Sequence, residues 1–93
     1  MAIPAETLTI RRADDGDDDA LRRLADLDGA QPPRGEMLTA ELDGEPVAAV
    51  PLSGGRAIAD PFRPTADIVN LLEYRAAQVR RRARRQRRRK PGR

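Results

Sequence analysis

The sequence predicts an α+β fold: a mostly antiparallel four-stranded sheet, with the element order β-α-β-β-β-α and a long C-terminal helix that runs into a basic tail. Three observations predict this fold. Residues Thr7–Arg11 alternate polar and apolar side chains, as a half-buried strand does. The pair Asp43-Gly44 separates two apolar runs, as a two-residue hairpin turn does. An apolar stripe at helical spacing begins at Ile68 and indicates the last helix.

The first helix is predicted from an acidic start and an apolar stripe. The acidic run Asp14–Asp19 follows the first strand, and an aspartate there is expected to cap the helix through its carboxylate. Gly29 is the expected stop. The apolar residues at helical spacing are Ala20, Leu21, Leu24, Ala25 and Leu27.

The other three strands are predicted around two turns. Met37–Leu42 and Val47–Leu52 flank the Asp43-Gly44 turn. Because proline has no N–H to donate to a ladder, Pro51 indicates that the returning strand lies at an edge or contains a bulge. After a second, glycine-rich turn, Arg56–Ala59 is expected to form a short fourth strand.

The last helix is expected to begin after a loop bracketed by Pro61 and Pro64, with Thr65 as its cap. Its apolar stripe weakens towards the C-terminus, where only Ala83 continues it. The stripe consists of Ile68, Leu71, Leu72, Ala76 and Val79.

Acidic and basic residues occupy different parts of the chain. All fifteen acids lie between Glu6 and Glu73, which leaves residues 1–74 with a formal charge of −8. Residues 75–93 carry eleven basic residues and no acid. We therefore expect two parts, a domain over residues 1–79 and an arginine-rich extension over residues 80–93.

The basic extension is expected to contact nucleic acid or another polyanion, because arginine binds phosphate bidentately and a dense charge releases many counterions. It has no aromatic residue to stack on bases, so binding should follow backbone charge and not sequence. A solvated terminus without a specific role is the alternative, and a membrane surface is a third. The residues predicted to bind are Arg80, Arg81, Arg82, Arg84, Arg85, Arg87, Arg88, Arg89 and Lys90.

The residue types exclude several chemistries. The chain has no cysteine and no histidine, which excludes disulfides, thiolate nucleophiles, histidine bases and Cys/His zinc sites. The N-terminus lacks the basic start and apolar run of a signal peptide, and no apolar stretch approaches the roughly 20 residues of a membrane span. A cytoplasmic location is therefore expected.

The acidic run Asp14–Asp19 has three interpretations. Solvated acids at a helix start explain it best, because the run lacks the ligand spacing of a calcium-binding loop. No metal site is therefore predicted. The run could also hold the arginine-rich tail within the same molecule at low salt.

Three segments resemble a known family. The opening strand resembles the first strand of GNAT acetyltransferases, and Glu41–Val47 resembles the turn between their second and third strands. Residues Ala59–Ile68, followed by Leu71-Leu72, resemble the acetyl-CoA loop of that family and the helix after it. The resemblance covers about residues 6–79 and implies the N-terminal half of a GNAT domain.

The same resemblance implies that Arg63, Thr65 and Ala66 lie nearest the cofactor if acetyl-CoA binds. The loop nevertheless departs from the family pattern, because Ile68 stands where a small residue is expected and Asp67 is negative. Both changes oppose an anionic cofactor. No position matches the catalytic residues of the family, so no catalytic residue is predicted.

These observations favour a non-enzymatic interaction module without a cofactor, whose tail contacts a polyanion. The alternative is an acetyl-CoA-dependent N-acetyltransferase completed by a second copy or a separate chain, and a fragment of a split or decaying enzyme stays open. The fourth strand is expected to be an unpaired edge, so a homodimer or a protein partner is expected through this strand or the last helix.

Overall fold

The computed structural model describes residues 6–32 and 34–89, with side chains as far as Arg87. It confirms an α+β fold with a four-stranded antiparallel sheet and a long C-terminal helix. In chain order the elements are β1 (Leu8–Arg12), a 3-10 turn (Asp15–Asp17), α1 (Asp18–Leu27), β2 (Met37–Leu42), β3 (Glu45–Pro51), β4 (Ile58–Ala59) and α2 (Ala66–Arg89).

The four strands follow one another across the sheet in the order β1-β2-β3-β4, and every neighbouring pair is antiparallel. Ala40 of β2 lies opposite Ile10 of β1 on one side and Ala48 of β3 on the other. A bulge interrupts the β2–β3 register after Ala40, because Glu41 pairs with Pro46 and leaves Val47 as the extra residue.

The β2–β3 connection is the hairpin turn that the sequence predicts. Asp43 has a φ of 51° and Gly44 a φ of 84°, so both central residues lie in the left-handed region that this turn requires. The Asp43 side chain accepts a hydrogen bond from the Thr7 N–H at 2.9 Å, which also ties the start of β1 to the turn.

Two expectations about the strands need correction. The strand that ends at Pro51 contains a bulge, at Val47, but it is not an edge strand: β3 lies between β2 and β4, and Pro51 is its last residue, opposite Met37. Since β4 pairs only with Ala48 and Ala49, no neighbour requires an N–H from Pro51. The fourth strand is also shorter than Arg56–Ala59, because only Ile58 and Ala59 reach the ladder.

The two helices cover opposite faces of the sheet. Ala48 and Val50 of β3 pack with Leu72 of α2, whereas Ala49 between them packs with Leu24 of α1. Successive residues of a strand face opposite sides, so the alternation places α1 and α2 on different layers. The molecule is thus a three-layer sandwich in which the sheet is apolar on both faces.

Small residues make this thin sandwich possible. Ala25, Ala40, Ala48 and Ala49 are each fully buried, at 0% exposure. Alanine lets a helix approach a sheet closely. The chain has only one phenylalanine and one tyrosine, and both are exposed, so aliphatic side chains fill the interior.

A charged clamp joins the end of β1 to the start of α1. The Arg11 guanidinium donates to both Asp17 oxygens, at 2.7 and 2.8 Å, and to the Glu41 carboxylate at 2.7 Å. Asp17 also accepts the Asp14 N–H at 2.8 Å, and the Asp14 carboxylate accepts the Gly16 N–H. An aspartate carboxylate thus caps the 3-10 turn in a reciprocal capping box, whereas Asp17, at the N-cap of α1 itself, makes no side-chain capping bond to that helix.

The clamp stabilises the ionised form of Asp17. Hydrogen bonds from Arg11 and from the Asp14 backbone lower the pKa of Asp17 to about 2, and the two carboxylates raise the pKa of Arg11. Thr39 lies opposite Arg11 in the ladder and is fully buried, with no hydrogen-bond partner for its hydroxyl among the described residues.

No described helix is long and apolar enough to cross a membrane.

Leu72→Ala should lower the free energy of unfolding by about 2–4 kcal/mol, because Leu72 is fully buried between α2 and the sheet and its loss leaves a cavity. Leu71→Ala, at the adjacent and partly exposed position, should cost less than about 1 kcal/mol. Urea unfolding followed by far-ultraviolet circular dichroism measures both. Equal losses in the two variants would contradict the packing described.

Asp17→Asn should lower the free energy of unfolding by about 1–2 kcal/mol at pH 7, because it removes the charge held by Arg11. The pKa of Asp17 is lower in the folded state, so its stabilisation is complete above about pH 4 and is lost as the pH falls through about 2. The difference between wild type and Asp17→Asn should shrink over that range.

Asp19→Asn is the matched control, since the Asp19 side chain is 99% exposed. Its effect in the same urea titrations should stay below about 0.5 kcal/mol. A pH-independent difference for Asp17→Asn would show that the Arg11 clamp does not stabilise the fold.

Candidate functional site

The arginine-rich segment is the second half of α2 and not a separate element. α2 contains 24 residues from Ala66 to Arg89, which corresponds to about 36 Å of continuous helix. The predicted division between residues 79 and 80 therefore falls inside a helix. The molecule measures 61 Å along its longest axis and 23 Å along its shortest, so it is elongated.

The exposed side of this segment carries a cluster that we call the arginine face: Gln78, Arg81, Arg82 and Arg85. Their spacing of three, four and seven residues places them on neighbouring turns of one side of the helix. Together they line a shallow depression of about 160 Å³. Three guanidinium groups and one amide provide hydrogen-bond donors there, which suits an anionic ligand.

The other flank of the same segment borders a second, larger feature, which we call the arginine groove. It is an open cleft of about 650 Å³ between α2 and the end of the β1–β2 pair. Arg80, Arg84 and Arg87 form its helical wall, and Arg12 lies on the opposite wall. Leu52, Val79 and Ala83 contribute its apolar lining.

Arg80 differs from the other predicted residues because it also holds the helix to the body. Its guanidinium donates to the Leu52 carbonyl at 3.1 Å. It also lies beside Gly54, where its nearest nitrogen is 3.8 Å from the position that a Cβ atom would occupy. Arg81, Arg82, Arg84, Arg85 and Arg87 are exposed. The backbone of Arg88 and Arg89 is helical, and Lys90 lies outside the described residues.

The exposed arginines are not neutralised by the acidic body. The ion pairs of the described residues involve Arg11, Arg12, Arg22 and Arg63. Among the side chains described, no arginine of α2 takes part in one. The charge of this segment is therefore balanced by solvent counterions, which a polyanion would release.

Tyr74 is a residue of this surface that the sequence analysis did not identify. Its side chain is 57% exposed. It lies four residues before Gln78 and seven before Arg81, so it shares their side of the helix. This spacing is visible in the sequence and could have identified Tyr74. It places an aromatic ring beside the arginine face.

In the loop that resembles an acetyl-CoA site, the arginine forms ion pairs with acidic residues of this chain. The Arg63 guanidinium donates to Glu6 at 2.8 Å and to Glu45 at 3.2 Å. Thr65, which precedes the first helical residue, is buried, and Ala66 is exposed. The structure thus brings the three predicted residues to the start of α2, with the cation of Arg63 already paired.

The acidic run lies on the layer opposite α2, because it leads into α1. Arg11 and the capping box occupy the carboxylates of Asp17 and Asp14. Within the described part of the chain, no group of three or more acids is placed to hold a metal ion. Among the described side chains, the ion pairs of this run are made with Arg11 and Arg22, and none joins it to an arginine of α2.

The edge formed by β4 is short and partly covered. On the side away from β3, the Ala59 N–H donates to the Asp28 carboxylate at 3.2 Å. A two-residue strand with this contact offers little backbone for pairing with another chain. A partner that adds a strand at β4 would have to displace Asp28.

Acetyl-CoA should not bind with micromolar affinity, because Glu6 and Glu45 neutralise Arg63 and Asp67 lies in the first turn of α2. Isothermal titration of the intact chain measures this. Micromolar binding that Arg63→Ala weakens would instead favour an acetyltransferase completed by a second copy or a partner chain.

Comparisons with protein-family models, with curated proteins and with solved structures find no match for this chain. The resemblance to the N-terminal half of GNAT acetyltransferases therefore stays a prediction.

Proposed function

We propose that this chain is a non-catalytic interaction module that binds nucleic acid, and other polyanions of similar charge density, through the second half of α2. The observation that carries the proposal is the arginine face. Arg81, Arg82 and Arg85 are exposed on one side of a preformed helix. Phosphates are the anions that several adjacent guanidinium groups bind best.

The separation of charge supports the same function. The acids of α1 and the turn before it lie on one outer layer of the sandwich, and the arginines of α2 lie on the other. Because α1 and α2 cover opposite faces of the sheet, a polyanion that approaches the exposed side of α2 meets its arginines and not the acids of α1.

The preformed helix also supports the proposed function. An arginine-rich segment repels itself, because like charges three or four residues apart destabilise a helix by a few tenths of a kcal/mol per pair. Here the segment extends a helix whose first half is packed on the sheet, so it need not nucleate a helix of its own. A phosphate backbone would relieve the repulsion that remains.

Arg81→Gln combined with Arg85→Gln should weaken binding to a labelled 20-base-pair DNA about 10-fold or more near 0.1 M salt. The slope of the logarithm of affinity against the logarithm of salt concentration should fall by roughly two, because two phosphate contacts are lost. Fluorescence anisotropy titrations at several salt concentrations measure both quantities. Unrelated DNA sequences should bind with similar affinities.

Arg22→Gln combined with Arg23→Gln is the control, since it removes the same charge from exposed positions of α1. It should leave affinity and slope nearly unchanged. If the two double variants weaken binding equally, net charge and not the α2 surface determines binding, and the proposal fails.

A further inference from the structure

The structure points to a more specific ligand for the same surface. We propose that α2 binds B-form duplex DNA by lying in its major groove, with one phosphate backbone in the arginine groove beside Arg12. This inference rests on the proposed function, since it names the class of nucleic acid and adds a contact from the body.

Arginines occupy a broad arc around the exposed side of α2. Consecutive residues of a helix are turned by about 100°. Viewed down the axis of α2, Arg84, Arg81, Arg85 and Arg82 thus follow one another over an arc of about 160°. Arg84 lies at one edge of this arc and Arg82 at the other, so the exposed side has a basic centre and two basic flanks.

The width of a helix determines which nucleic-acid groove can admit it. A helix with its side chains is ~10–12 Å across. The major groove of B-form DNA is ~12 Å wide and admits one helix, whereas its minor groove is only ~6 Å wide. The major groove of A-form RNA is deep and narrow, and side chains cannot read it. A preformed cationic helix therefore fits the B-form major groove and neither of the others.

In the major groove, each flank of this arc faces one phosphate backbone. With Arg81 and Arg85 directed towards the floor of the DNA groove, Arg82 faces one backbone and Arg84 faces the other. Gln78 also lies on this side, and glutamine and arginine are among the residues that hydrogen-bond base edges there.

The arginine groove lies on the Arg84 flank of the helix. Arg84 lines it together with Arg80 and Arg87, and Arg12 lies on the opposite wall. A backbone on the Arg84 flank would enter this cleft and meet Arg12, whose side chain is 59% exposed and forms only a surface ion pair with Glu36. The body would then contribute a phosphate contact from a residue distant in sequence from the arginine-rich segment.

The experiment compares ligands and variants by fluorescence anisotropy at one salt concentration near 0.1 M. The ligands are a 20-base-pair DNA duplex, an RNA duplex of the same length and sequence, and a single-stranded DNA of equal phosphate number. We expect the DNA duplex to bind at least about 5-fold more tightly than the other two. Arg12→Gln should weaken DNA-duplex binding about 3- to 10-fold.

Arg22→Gln is the matched control, because Arg22 is also exposed and paired with a neighbouring acid, Asp19, but lies on α1. It should change duplex affinity less than about 2-fold. Protection of guanine N7 from dimethyl sulfate by the bound chain gives an independent readout, since N7 faces the major groove.

Equal binding of the three ligands, unprotected N7, or equal effects of Arg12→Gln and Arg22→Gln would each overturn the inference. If the Arg81→Gln and Arg85→Gln pair still weakened binding in those cases, the polyanion function would stand without the groove. If no ligand bound at all, both proposals would fail. The three results are therefore distinguishable in one set of titrations.

Discussion

Burial of the apolar stripe of α2 is the interaction on which the remaining structure depends. Leu72 and Ala76 pack against the α2-facing side of the sheet, and α1 covers the other side. Without α2 this apolar sheet face would be exposed to water, and four short strands cannot offset such exposure. The same contact fixes the direction of the second half of the helix, so fold and basic surface share one anchor.

Much of the fold could be predicted because its signals are local. The hairpin follows from Asp43-Gly44, whose backbone conformations few other residue pairs adopt readily, and the helices follow from apolar spacing. The errors came from tertiary context. Pro51 is harmless in a central strand because β4 does not extend to it, and the length of β4 depends on how far the chain stays beside β3.

The site was predictable in its charge but not in its shape. The arginines were evident from composition, but the continuity of their helix to Arg89 was not, because the apolar stripe ends before it. The arginine groove was not, because Arg12 meets the α2 wall only after the chain has folded across the sheet. Nor was the role of Arg80 evident, since its bond to the Leu52 carbonyl joins residues 28 positions apart.

The uninterrupted course of α2 has an evolutionary consequence. The direction in which each arginine of α2 points around the helix axis is fixed relative to Leu72, because each residue between them adds about 100° of rotation. Inserting two residues after Ala76 would turn the basic surface by about 200° towards the sheet, although composition and charge would hardly change. A substitution in this segment changes one side chain, whereas an insertion or deletion turns every arginine that follows it, so the length of the segment should drift less than its sequence.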